Sequence, residues 1–281
     1  MTLAAAALLP FLPRIKPDLR RSAVLCGVFT AAGYITQSLA LVDTDPARVS
    51  FLGAATVLWC PFLEWAVDKI PMGWRDAPQT WIAAVLCLMG VGILELYNAG
   101  GSGGTGLMEV LSSIGSGDVL ALLQAVAFGT GCFLNAKMIR EEPDQVLPVT
   151  AMLLAVTAGL SWLWCGVESL LAGAPIFDPV QFLDPSFYTV ALAVLWTGLV
   201  STAFNVVVEI SALGRMPSSE ASVLLASEPV WAAIFAAALL GETLKVNDYV
   251  GGAFIIGACL VNALVKPSDI QKLFSWSTDQ E

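Results

Sequence analysis

Long apolar stretches, each about 20 residues or more and so long enough to cross the hydrocarbon of a bilayer as a helix, alternate with short polar turns along this chain. They cover residues 22–42, 46–69, 79–97, 118–138, 148–172, 187–209, 217–240 and 247–265. The separators carry turn chemistry, as in Asp43-Thr44-Asp45-Pro46, Pro71-Met72-Gly73 and Gly214-Arg215-Met216-Pro217. Residues 1–12, MTLAAAALLPFL, are apolar but too short to span. Basic residues follow this run instead of preceding it, so it reads as the tail of another span and not as a signal peptide. The pattern predicts an all-α, polytopic membrane helix bundle of eight full spans plus an N-terminal fragment.

The distribution of charge orients the spans. Threaded alternately, they put Arg14, Lys16, Arg20, Arg21, Lys69, Arg75, Lys137, Arg140, Arg215, Lys266 and Lys272 on one side. Only Arg48 and Lys245 fall on the other. Basic residues collect in cytoplasmic loops, so both ends of the chain are expected inside, with a polar tail over 266–281.

A repeat is visible. Val49-Ser50-Phe51-Leu52-Gly53-Ala54-Ala55-Thr56-Val57-Leu58-Trp59 aligns with Ala221-Ser222-Val223-Leu224-Leu225-Ala226-Ser227-Glu228-Pro229-Val230-Trp231. Each run follows a proline-containing turn, at Pro46 and Pro217. The next spans also correspond, Trp81-Ile82-Ala83-Ala84 with Tyr249-Val250-Gly251-Gly252. Spans one to three then match spans six to eight, which run in the opposite direction. Similar sequence in opposite orientation is the mark of inverted-topology repeats, an architecture of secondary transporters. The expected organisation is an incomplete first repeat over 1–98, a glycine-rich linker over 99–117 and a second repeat over 118–265.

Composition agrees with the membrane class: 57% of residues are hydrophobic and 13% charged, against about 25% charged in soluble domains. Net charge is −10, with no basic patch interleaved with aromatics, so nucleic acid is not an expected partner. There is no histidine, which removes the commonest general base and metal ligand. Cys26, Cys60, Cys87, Cys132, Cys165 and Cys259 lie apart inside apolar runs and read as packing residues. No catalytic, metal or cofactor site is expected, and no paired intramembrane aspartates suggest an enzyme. Gly101-Ser102-Gly103-Gly104-Thr105-Gly106 fits a dinucleotide fingerprint only literally; between two membrane spans it reads as a flexible linker.

The run from Ser222 through Glu228-Pro229-Val230-Trp231 to Leu239-Leu240-Gly241-Glu242 and Gly251-Gly252-Ala253 resembles the closing part of an EamA-type repeat of the drug/metabolite transporter superfamily. Asp118-Val119-Leu120-Ala121-Leu122-Leu123 resembles the opening of the same repeat. The resemblance covers residues 20–265 and is clearer in the second half, since Lys69-Ile70 stands where the second copy has Gly241-Glu242. It implies ten helices in two inverted five-helix repeats. Against that pattern the first helix and most of the second are missing, and a truncated gene model is the expected reason. Gly33-Tyr34-Ile35-Thr36-Gln37 resembles EamA proteins of bacteria and of plastids, leaving plasma membrane and plastid envelope both open.

Glu228 is the sharpest candidate for chemistry, because a carboxylate within a span is expensive to bury and suggests function. It either lines a cavity as a solute- or proton-binding group or holds a neighbouring helix. Pro229 and Pro61 are the expected helix kinks. Tyr34 and Gln37 share a helix face, as do Asn205 and Glu209, and Gln37 and Glu209 are repeat partners. Trp196, Thr197, Ser201 and Asn205 trace a polar–aromatic stripe, and Gln124 lies within span four. Each could face a cavity or serve as interhelical glue. Trp59 and Trp231 are repeat partners that either wall a cavity or pack. Glu64, Glu95 and Glu168 sit near span ends and could snorkel or be solvated, and Ala253 with Gly257 reads as a close-packing pair.

With no Lys or Arg at mid-span to meet a phosphate, the expected solute is small and neutral, zwitterionic or cationic. The other expected partner is the bilayer, with a homodimer left open. The expected function is secondary transport of a small organic metabolite by alternating access, with proton coupling suggested by Glu228. The alternative is a non-transporting membrane protein: a subunit, a regulator or a truncated paralogue.

Overall fold

The computed structural model describes residues 1–71, 76–99, 115–173, 187–241 and 245–264. All regular structure among them is helical. The helices are α1 (Thr2–Leu8), α2 (Pro17–Asp43), α3 (Pro46–Gly53), α4 (Thr56–Ala66), α5 (Pro78–Ala99), α6 (Ser116–Glu141) and α7 (Val146–Ala172). α8 (Phe187–Trp196), α9 (Asn205–Leu213), α10 (Ser218–Leu225), α11 (Glu228–Phe235) and α12 (Val246–Leu264) follow. A 3-10 turn, Leu9–Arg14, continues α1. Wider π turns, Thr197–Phe204 and Ala236–Leu240, join α8 to α9 and extend α11. The glycine-rich segment 101–106, Arg75, Glu242, the polar tail and the side chain of Glu95 lie outside the described residues.

Seven helical segments among the described residues are long and apolar enough to cross a membrane. They correspond to seven of the eight expected spans. The remaining expected span, 79–97, is helical as α5, with a shorter apolar stretch at Pro78–Leu94. Residues 1–12 form the short apolar helix Thr2–Arg14. The chain is an all-α polytopic membrane protein.

It divides into two compact units, Met1–Ile35 with Leu134–Met216, and Thr36–Phe133 with Pro217 onward. In the first unit, Ala4, Leu19, Ala23, Cys26, Ile139, Leu153, Leu154 and Ile210 form the core. α2 meets α7 closely: a Cβ built at Gly27 would lie 2.7 Å from Val156 Cβ, and Thr157 Oγ1 donates to Gly27 O at 3.2 Å. Lys16 N donates to Gln145 Oε1 at 3.0 Å, and the Lys16 ammonium pairs with Glu142.

The second unit is built around α5 and α12. Their closest approach has no side chain on either side, with a Cβ built at Gly90 falling 2.7 Å from Gly251 O. Ala83, Ala84, Cys87, Ile255 and Ala258 complete a fully buried seam. The expected small pair lies elsewhere: Ala253 is exposed and Gly257 has nothing within 4 Å of a built Cβ. Residues four apart share a face, but the face α12 buries is the neighbouring one. At one end of the unit Arg48 Nη2 pairs with Asp118 Oδ2 at 2.7 Å, and Gly115 N adds a hydrogen bond of 2.8 Å to the same oxygen.

Spans two and seven are each broken at the residues that the sequence register makes equivalent, Ala54-Ala55 and Ala226-Ser227. The turn hydrogen bonds correspond one by one. Ala54 N to Ser50 O matches Ala226 N to Ser222 O, and Ala55 N to Leu52 O matches Ser227 N to Leu224 O. Leu58 N to Ala55 O matches Val230 N to Ser227 O. Val57 N also donates to Ala54 O at 3.0 Å, and Pro229 at the equivalent position has no N–H to do so. The same correspondence holds past the spans: Lys69 and Gly241 are equivalent, and both have left-handed backbone, φ 54° and φ 71°.

Candidate functional site

The two breaks are tight turns that keep right-handed backbone, φ −63° and −59° at Ala54 and Ala55 and φ −67° and −78° at Ala226 and Ser227, and they share a core. Ala54 and Ala226, with their repeat neighbours Phe51 and Val223, pack into one cluster with Val57 and Val230. Discontinuous membrane helices are where transporters build binding sites, because a broken ladder exposes polar backbone at one depth.

The break before α11 carries Glu228 as its first helical residue and Pro229 next. The proline therefore does not kink a continuous helix, as the sequence suggested. The turn at Ala226-Ser227 precedes it, and Pro229 occupies a first-turn position where a missing N–H is tolerated. The carboxylate follows directly on a turn whose residues keep right-handed helical backbone, so the chain runs on from α10 into α11 through it. Glu228 is exposed, and so is Trp231, at 57%.

The break before α4 is covered by α6. Thr56 Oγ1 donates to Gly53 O at 2.8 Å and lies 3.3 Å from Ala125 O. Trp59 Nε1 donates to Thr130 Oγ1 at 3.0 Å, and a Cβ at Gly129 would sit 2.8 Å from Trp59 Cδ1. Gln124 is 7% exposed, with its amide nitrogen against Gly53 and its Oε1 buried without a hydrogen-bond partner. Phe62 and Trp65 continue from Trp59 along α4, with ring centroids 5.1 and 5.9 Å apart in sequence. Pro61 lies inside α4. The two tryptophans paired by the sequence thus differ: Trp59 is tethered and half-buried, Trp231 uncovered.

Gln37, half-buried on α2, belongs to this unit. Tyr34, Trp196, Ser201, Asn205 and Glu209 belong to the other. There Trp196 (65% exposed), Ser201 and Asn205 are uncovered, and Glu209 is half-buried. The stripe brackets the π turn Thr197–Phe204, with Trp196 just before it, Thr197 and Ser201 within it and Asn205 just after, and Thr197 Oγ1 donates back to Ala193 O at 2.9 Å. Such π turns recur at functional sites, and nothing in the spacing of the stripe announced it. Among the described residues, no three or more of His, Cys, Asp and Glu gather where they could hold a metal ion.

Glu64, expected to snorkel or be solvated at a span end, is instead buried. It is 3% exposed, and its Oε1 accepts hydrogen bonds from Ser218 Oγ at 2.6 Å and Ser219 N at 3.0 Å. The available signal was that α4 ends, and α10 begins, on the same predicted face of the membrane. Glu168 is exposed.

The profile of the EamA-like transporter family matches residues 115–264. The chain belongs to this family. Its class is therefore that of a membrane transporter, and the matched segment runs from the start of α6 to the end of α12. An "uncharacterized transporter" of Archaeoglobus fulgidus is 24% identical over 258 residues, covering 92% of this chain and 73% of that protein. An "uncharacterized transporter" of Clostridium kluyveri is 24% identical over 266 residues, covering 90% of this chain and 76% of that protein. A solved crystal structure shares the fold, with a TM-score of 0.62 at 17% identity, over 94% of this chain and 93% of the other.

Proposed function

We propose that this EamA-family protein is a secondary transporter that moves a small neutral, zwitterionic or cationic metabolite by alternating access, coupled to protons. The observation that carries the reading is the pair of equivalent helix breaks, one of which opens on Glu228. Two similar runs in opposite orientation, broken at matching residues, are what an inverted repeat around a central site requires. Glu228 is the residue proposed to bind the solute or take the proton. Trp231 is its aromatic neighbour one turn on, and Gln124, Trp59 and Gln37 are polar and aromatic groups of the same unit. In the other unit, Tyr34 on α2, Trp196 on α8, Ser201 on the π turn, and Asn205 and Glu209 on α9 are proposed as solute-facing groups in their own right. The one basic residue of α3, Arg48, is already matched by Asp118, which supports a solute without a phosphate.

The test is uptake into liposomes reconstituted with the full chain, screened over a metabolite panel with and without an imposed proton gradient. At least one solute is expected to accumulate down the gradient, and Glu228→Gln to abolish the accumulation. Uptake indifferent to both the gradient and the substitution would overturn the coupling.

A further inference from the structure

α10 begins after Pro217, which offers no side chain to the helix's free N–H groups. The equivalent helix α3 is capped from within: Asp45 Oδ1 accepts from Ala47 N at 2.9 Å. α10 takes its cap from another helix, through the hydrogen bonds of Ser218 Oγ and Ser219 N to Glu64 Oε1 in the last turn of α4. Ser222 Oγ then donates to Ser219 O at 2.9 Å, and Ser218, Ser219 and Ser222 are all buried. A carboxylate here meets both the orphan donors and the positive end of the helix dipole.

α10 has 8 residues, so its cap stands about 12 Å from the break it leads to. A helix this short moves as a rigid body, and a shift at Ser218 arrives undiminished at Ala226 and Ser227. We propose that Glu64 is the positioning residue of the α10–α11 break: by gripping the start of α10 it sets the depth and angle at which Glu228 is presented. Being buried, Glu64 acts through α10 and not by touching solute. Its second oxygen, Oε2, is buried without a hydrogen-bond partner. Such a half-satisfied carboxylate is a poor way merely to hold two helices together, since apolar contact would serve better. What it adds is direction, because it grips the helix start alone.

This rests on the transport reading only for the importance of Glu228, and its test needs no solute. A cysteine at the break, Ser227→Cys, is placed in a Cys165→Ala background, which removes the exposed native thiol. Its modification rate by a membrane-impermeant thiol reagent is followed in liposomes, beside Ser201→Cys as a control in the other unit. Glu64→Ala is expected to change the rate at position 227 by about tenfold, as loss of a charged hydrogen bond implies, and to leave position 201 unchanged. Glu64→Gln keeps an acceptor oxygen and is expected to restore the parental rate, with Ser218→Ala intermediate. An unchanged rate in Glu64→Ala, an equal shift at 201, or a Glu64→Gln rate as displaced as that of Glu64→Ala would overturn the proposal. Where Glu64→Ala does not fold, Ser218→Ala decides: a parental rate at 227 overturns it. Loss of transport in Glu228→Gln has no bearing on these rates, so the two readings fail separately.

Discussion

Gly90→Ala should loosen the second unit at its centre. A Cβ there would lie 2.6 Å from Ile255 Cγ1, 2.7 Å from Gly251 O and 2.9 Å from Ile255 N. The side-chain carbon can swing aside, but the two backbone atoms move only with α12 itself. Ordinary contact for a Cβ begins near 3.4 Å, so the helices must part by about 0.7 Å. A gap of about 0.5–1 Å forfeits a quarter to a half of each dispersion well, and it is felt by Ala83, Ala84, Cys87, Val91 and Ala258 along the same seam. Overpacking of this kind costs about 1–3 kcal/mol. The alanine recovers about 1 kcal/mol of helix propensity, leaving a net loss of about 1–2 kcal/mol when the clash sits at the upper end of that range. At about 2–4 °C per kcal/mol for a chain of this size, the thermal midpoint in detergent should fall by several degrees. Gly257→Ala is the control: its Cβ meets nothing within 4 Å, so only the propensity gain remains and the midpoint should hold or rise. The reasoning is refuted if Gly90→Ala melts no lower than the parent, or if Gly257→Ala falls with it.

Arg48→Met should destabilise by about 3–5 kcal/mol, because it strands the buried Asp118 carboxylate; adding Asp118→Asn should recover most of the midpoint, and a double variant no better than the single would count against the pairing. Lys69→Gly should raise the midpoint, since a left-handed non-glycine residue costs about 1–2 kcal/mol and Lys69 has φ 54°; a fall on substitution would show that the side chain holds the turn.

The spans were legible in the sequence because hydrocarbon thickness imposes one length on every helix, and the turn residues at Pro46, Pro71 and Pro217 punctuate them. The register of Ser50-Phe51-Leu52 on Ser222-Val223-Leu224 also pairs the turn at Ala54-Ala55 with that at Ala226-Ser227. The breaks themselves were less legible. Ala54 and Ala55 are good helix formers; the local signal was Gly53 before them and the hydroxyls of Thr56 and Ser227, which bond back to Gly53 O at 2.8 Å and Leu224 O at 2.6 Å. Pro229 drew attention to the right neighbourhood but suggested a kink at itself, whereas a proline just inside a helix start marks where the new half-helix begins. The burial of Glu64 was not legible, because proximity to a span end says nothing about a partner 154 residues on in the chain. The small-residue spacing of Ala253 and Gly257 matched a packing pattern, yet Gly251, Ile255 and Ala258 form the buried face. Helical spacing defines several faces equally well, and only the neighbour chooses among them.

Lys69 and Gly241 show what the two similar runs of this chain have kept in common. Residue comparison weakens at 69, where lysine replaces glycine, and the family profile matches from residue 115 onward. The left-handed turn is nonetheless kept at both places, as is the helix break fourteen to fifteen residues before each. Shape has outlasted spelling in this half. Within this chain, the spacing from helix break to left-handed residue is the same in the two runs where the letters differ.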